Sequence, residues 1–147
     1  MAIPTQDPGF AGMKADSGDD RVESFAVGTA TLQFGIVVGS AVGSDIVGGP
    51  AAGTKIRGIT LHSHAIPGAS YVLHDCASVM TRGLVWAKVT AAGAVTKDGP
   101  VSYAPDGTVG DASGTLLANA VFRSAKIATA DGDIAVVELH APFSETT

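Results

Sequence analysis

The sequence predicts an all-β domain, a single sandwich or barrel with an extended N-terminal arm. Three observations predict it. Short apolar runs alternate with polar residues at a period of two, Gly, Pro and Asp close those runs at short intervals, and no long segment carries a helical stripe. The composition agrees: nineteen glycines and 16% charged residues describe a turn-rich chain of small side chains. A length of 147 residues fits one domain with a continuous core.

Residues 1–24 are read as the arm and 25–147 as the domain. The arm holds two prolines, three glycines and no apolar period, as an extended segment would. Its apolar residues Ile3, Phe10 and Met13 suit anchorage to another surface better than a solvated tail. Beyond it, "RVESFAV" leads to "ATLQFGIVVG", where Leu32, Phe34 and Ile36 alternate with Thr31, Gln33 and Gly35, the pattern of a half-buried strand. "SAVGSDIVGGPAAGT" has four glycines and a proline and is expected to be a long surface loop. "KIRGITLHSHAI" resumes strand character, with Ile56, Gly58, Thr60, His62 and His64 on one face and Arg57, Ile59, Leu61 and Ser63 on the other. "SYVLHDCASVMT" and "GLVWAKVTA" follow as two strands separated by Arg82 and Gly83.

Turn signals then crowd together at Ala92–Gly93, Asp98–Gly99–Pro100 and Pro105–Asp106–Gly107. Gly accepts positive φ there, Pro presets φ, and Asp closes an Asx-turn. The strands between them, "AVTK" and "VSYA", are short. "TLLANAVFRSAKIATAD" has room for a helical turn near residues 116–120, but Val121, Arg123, Ala125 and Ile127 make no helical stripe. A strand from about Ala120 is expected instead. "DIAVVELHA" closes the chain as another.

Composition also narrows the function. Net charge is −5, and the acids concentrate near the N-terminus. Nucleic acid is excluded as a partner because phosphate binding needs clustered Lys and Arg. Apolar stretches are broken by Gly and Pro well short of a bilayer's width, so no membrane partner is expected. No charged n-region with an apolar run follows Met1, and one cysteine, Cys76, excludes an intrachain disulfide, so a soluble protein made in a reducing cytoplasm is expected. Cys76 lies in an apolar strand without an adjacent cation and is expected to be buried and inert. Trp86 and Tyr103 read as core or interface packing.

The stretch 61–75 carries three of the four histidines, His62, His64 and His74. A His-x-His pair on a strand puts both imidazoles on one face, as small metal-binding barrels do. The cupin pattern next requires a Glu, and Ala65, Ile66, Pro67, Gly68 and Ala69 stand there instead, so that match fails. A metal site from His62, His64 and His74, or with His140, and a small metal-dependent cupin-like barrel enzyme behind it, is the alternative to histidines that hydrogen-bond locally or face a neighbouring subunit. "GDASG" lacks a protease nucleophile's context, and "VVGSAVGSD" lacks the Lys of a phosphate loop. No catalytic residue, cofactor or metal is assigned. A carbohydrate-binding module on a virion surface is a third reading, but one Trp and two Tyr offer little aromatic platform.

Taken in order, "GFAGMKADSGDDRVESFAV", "LQFGIVV", "KIRGITLHSH", "SVMTRGLVWAKV", "AAGAVTKDGPVSYAPDGTV", "NAVFRSAK" and "IAVVELH" resemble the structural cement, or capsid decoration, proteins of tailed bacteriophages. The likeness covers nearly the whole chain. It implies a jelly-roll-like β domain without catalysis, made in the host bacterium, that attaches to the outside of the assembled head and bridges major capsid subunits. The implied partners are the major capsid protein and further copies of the chain, as a dimer or trimer. Phe10, Met13, Arg21 and Phe25 are the expected interface residues, since extended arms add contact area and donate strands.

Overall fold

The structure, a computed structural model, describes residues 8–50, 54–63, 70–112, 114–129 and 131–143. Those residues form twelve strands and no helix: β1 Lys14–Val27, β2 Thr31–Gln33, β3 Val37–Ala41, β4 Ile46–Gly48, β5 Thr54–Thr60, β6 Ser70–Val72, β7 Cys76–Lys88, β8 Pro100–Tyr103, β9 Val109–Gly110, β10 Thr115–Phe122, β11 Ile127–Thr129 and β12 Gly132–His140. The all-β class is therefore as the sequence predicts.

β7 organises everything else. Along one edge it pairs with β5 at Met80 and Val79, then with β12 from Arg82 to Lys88. Along the other it pairs with β1 from Cys76 to Val85. β1 turns its far end onto β4, with Ala26 opposite Ile46, and β4, β3 and β5 lead back to β7. That makes one closed ring of strands. β12, β10, β8 and β9 make a second, which returns to the chain just past β7 through a bridge between Val89 and Val109. Closure leaves few free edges, the usual hazard of antiparallel sheets.

The interior follows from period-two alternation. Val37, Ile56, Ile59, Met80, Val85, Val101, Phe122, Val137 and Leu139 form the principal core. A second cluster gathers Phe25, Val27, Leu32, Phe34, Ile36, Val38, Val47, Tyr71 and Val79 beneath the small β2–β6 sheet. Tyr71 locks that sheet down. Its hydroxyl donates to Leu61 O at 2.6 Å and accepts from Ser78 N at 3.3 Å, and burial pushes its pKa upward. Thr60 does similar work, donating to Gln33 O at 2.7 Å and accepting from Ile36 N at 3.2 Å. Both are buried polar groups with their bonds made.

Several local expectations change. The run 30–39 is not one strand: it breaks at Gly35, φ +76°, into β2 and β3, although Leu32, Phe34 and Ile36 are all buried as the alternation requires. The stretch expected to be a loop contains β4, which pairs with its neighbour β3 in an antiparallel hairpin and, on its other edge, with the end of β1; its glycines masked the strand. The two strands expected around Arg82 and Gly83 are one, β7. Gly83 marks a close approach, not a turn, since a Cβ there would lie 3.0 Å from Asp20 Cβ. "AVTK" forms no strand. The possible helical turn at 116–120 is strand β10, with Asn119 at φ +53° and a register shift before Val121.

Candidate interaction surface

The arm is seated, and the seat is built from glycines. Gly9 lies flat on the indole of Trp86, where a Cβ would come within 2.6 Å of Nε1. Gly12, φ +87°, passes so close to β5's end that a Cβ would sit 2.6 Å from His62 N and 2.9 Å from Phe34 Cβ. Only glycine holds that backbone without strain. Hydrogen bonds fix the segment: Gly12 N donates to Trp86 O at 2.8 Å, Trp86 N to Met13 O at 2.9 Å, His62 N to Gly12 O at 2.9 Å, and Met13 N to Phe10 O at 3.0 Å. Trp86 packs with Ile134 and Val136, and Ala11 covers the group.

The boundary drawn between residues 24 and 25 falls inside β1. Residues 14–24, read from sequence as arm, belong to that strand and pair with β7. Irregular pairing between Asp16 and Arg21 sets off an acidic bulge. Its charges are matched locally: Lys14 holds Asp20, and Arg82 meets Asp19 at 3.2 Å. The hydrogen bond from Lys14 holds the Asp20 carboxyl below its ordinary value.

Of the four expected interface residues, three face outward. Phe10 is 41% exposed and Met13 36%, on a backbone that is pinned; the Arg21 side chain is 72% exposed beside Glu23, 3.5 Å away. Phe25 is corrected: it is 8% exposed in the second core cluster, with the Arg57 guanidinium 5.8 Å from its ring centroid. Facing inward on a paired strand, it offers a partner little area.

The histidines separate. His62 sits edge-on between Phe10, at 4.9 Å, and Phe34, at 4.8 Å. His64 lies outside the described residues. His74 occupies the turn between β6 and β7 at φ +75° and donates its backbone N–H to Val27 O. His140, at the end of β12, has Nε2 3.5 Å from Glu138. Among the described residues no three His, Cys, Asp or Glu side chains converge as a metal site needs. Cys76 is corrected too: it begins β7 and is exposed, not buried. Trp86 and Tyr103 are core, as read.

Beside the seat lies an open groove of about 720 Å³, lined by Phe10, Gln33, Phe34, His62, Lys88 and Asp133 among others. Lys88 crosses it to Gln33 Oε1 at 2.9 Å. Sequence reasoning missed the seating role of Gly9, Gly12 and Trp86. The spacing "GFAG" records it, but only the fold brings Trp86 underneath.

Comparison with known proteins matches this frame. No curated protein sequence matches the chain. A chain from the solved capsid of Myoviridae phage XM1 superposes with a TM-score of 0.77, covering 95% of this chain and 94% of that one at 22% identity; it shares the fold. The family model for structural cement protein (E217 gp24/Pam3 gp6) matches residues 3–140, and so takes in both the arm and the strands it completes. The chain belongs to the phage structural cement protein family.

Proposed function

We propose that the protein attaches to the outer surface of the assembled phage head as a symmetric oligomer and bridges neighbouring major capsid subunits through Phe10, Met13 and Arg21. Membership of a cement family implies a structural, non-enzymatic role in the virion. The observation that carries the finer reading is the exposure of Phe10 and Met13 on a backbone held by four hydrogen bonds and two obligatory glycines. A rigid apolar edge costs little entropy to dock. Each contact is weak, and attachment is secured by the number of copies and by effective concentration on the shell.

Co-sedimentation of the purified protein with undecorated shells tests it. Wild-type protein binds at a fixed stoichiometry, and Phe10→Ala with Met13→Ala lowers the bound fraction at equal protein concentration. Unchanged binding by a folded double variant refutes the assignment. Point changes are better than deletion of residues 2–20, because deletion would also strip β7 of the backbone partner of Trp86.

A further inference from the structure

We propose that the outer edge of β1 over residues 20–24 is a self-pairing edge, to which a second copy of this chain adds its own residues 20–24 antiparallel, across a two-fold axis at Val22. This deepens the oligomeric part of the reading above and rests on it, not on shell attachment.

The edge is open where it is regular. Val27 N–H donates toward β7, to Asp75 O, whereas Gly28 N–H donates toward β4, to Val47 O. By alternation the backbone groups of residues 23 and 25 point to β7 and those of 22 and 24 point outward. β4 takes only Ala26 and Val27, so among the described residues no strand covers the outward groups of Val22 and Ser24. Natural sheets blunt such edges with charge and bulges. Here the irregular acidic stretch Asp16 to Arg21 blunts the first half, while Val22 to Ala26 continues in unbroken register with β7.

Charge selects the occupant and the register. Isologous antiparallel pairing sets outward-facing residues against each other, with the axis either at an outward residue (Asp20, Val22 or Ser24) or at an inward one between them (Arg21 or Glu23). An axis at Arg21 or Glu23 would oppose two like charges. An axis at Asp20 would oppose two aspartates where β1 is irregular. One at Ser24 sets no charge against its opposite. At Val22, Arg21 faces Glu23 of the second copy and Glu23 faces its Arg21, while the two Val22 side chains, each 38% exposed, meet on the other face. The run Arg21-Val22-Glu23 is complementary to itself. β4 on one side and the bulge on the other limit the ladder to about five residues a strand, less than a standard interface, so the pair is weak in dilute solution and favoured where copies are crowded.

Disulfide trapping tests the pair with the protein alone. Hydrogen-bonded antiparallel partners stand about 5.5 Å apart at Cα, within disulfide reach. In a Cys76→Ser background, Val22→Cys should oxidise to a linked dimer several-fold faster than Asp98→Cys on an exposed turn. Adding Arg21→Glu, or Glu23→Arg, places like charges opposite and should slow linkage about tenfold. Mixing those two chains recreates opposite charges at both positions and should restore it. A rate equal to that of the turn control, or equal rates in mixed and unmixed chains, overturns the proposal. Because no shell is present, that failure is distinct from failure of capsid attachment.

Discussion

Gly12→Ala should unlatch the arm without unfolding the domain. An L-residue at φ +87° costs about 1–2 kcal/mol. The new methyl also meets His62 N at 2.6 Å and Phe34 Cβ at 2.9 Å. Both are fixed, one by the backbone of β5's end and the other by the core, so the arm must move. Movement breaks the bonds from Gly12 N to Trp86 O and from His62 N to Gly12 O, each worth about 0.5–1.5 kcal/mol net. Together the cost is about 3 kcal/mol, roughly a hundredfold in the equilibrium between seated and free arm. The single tryptophan reports it. Trp86 is 8% exposed under Gly9, so release should red-shift its emission and open it to acrylamide in native buffer, while the cooperative urea transition persists. A variant with wild-type emission, quenching and transition midpoint would show that the glycine seat does not hold the arm.

Phe25→Ala, being a core truncation, should cost about 3–5 kcal/mol in urea unfolding, with shell attachment of the folded fraction unchanged; a selective loss of attachment at wild-type stability would return Phe25 to the interface. Exposed Cys76 should react with a thiol reagent in the folded protein at close to the rate in urea, and strong protection would contradict its placement. Asp106 accepts from Thr108 Oγ1 at 2.6 Å and Thr108 N at 3.1 Å, and these bonds hold its carboxyl below the ordinary 3.8. A depressed carboxylate contributes stability that is full above the unfolded value and fades as pH falls through the folded one. Asp106→Asn should therefore destabilise at pH 6, with a deficit that shrinks below the ordinary 3.8; a deficit constant with pH would show that the charge is irrelevant.

What the sequence determined was local. Alternating Leu32, Phe34 and Ile36, the apolar run of β12 and the crowded Gly and Pro signals specify strands and turns because period-two burial and positive φ act over a few residues. Family resemblance could be read for the same reason, since it is a chain of such local patterns. Tertiary structure decided whatever depends on a distant partner. Ile46 to Gly48 reads as loop until β3 and the end of β1 flank it on both edges, and Gly83 reads as a turn until Asp20 approaches. Phe25 and Cys76 show the same limit from opposite sides: position 25 faces inward and Cys76 outward because of how β1 and β7 pair. His62 and His74, clustered within residues 61–75, are pulled apart because His62 joins the arm's seat and His74 a turn. Pattern within a segment fixes its conformation, but long-range strand pairing fixes which of its faces meets solvent.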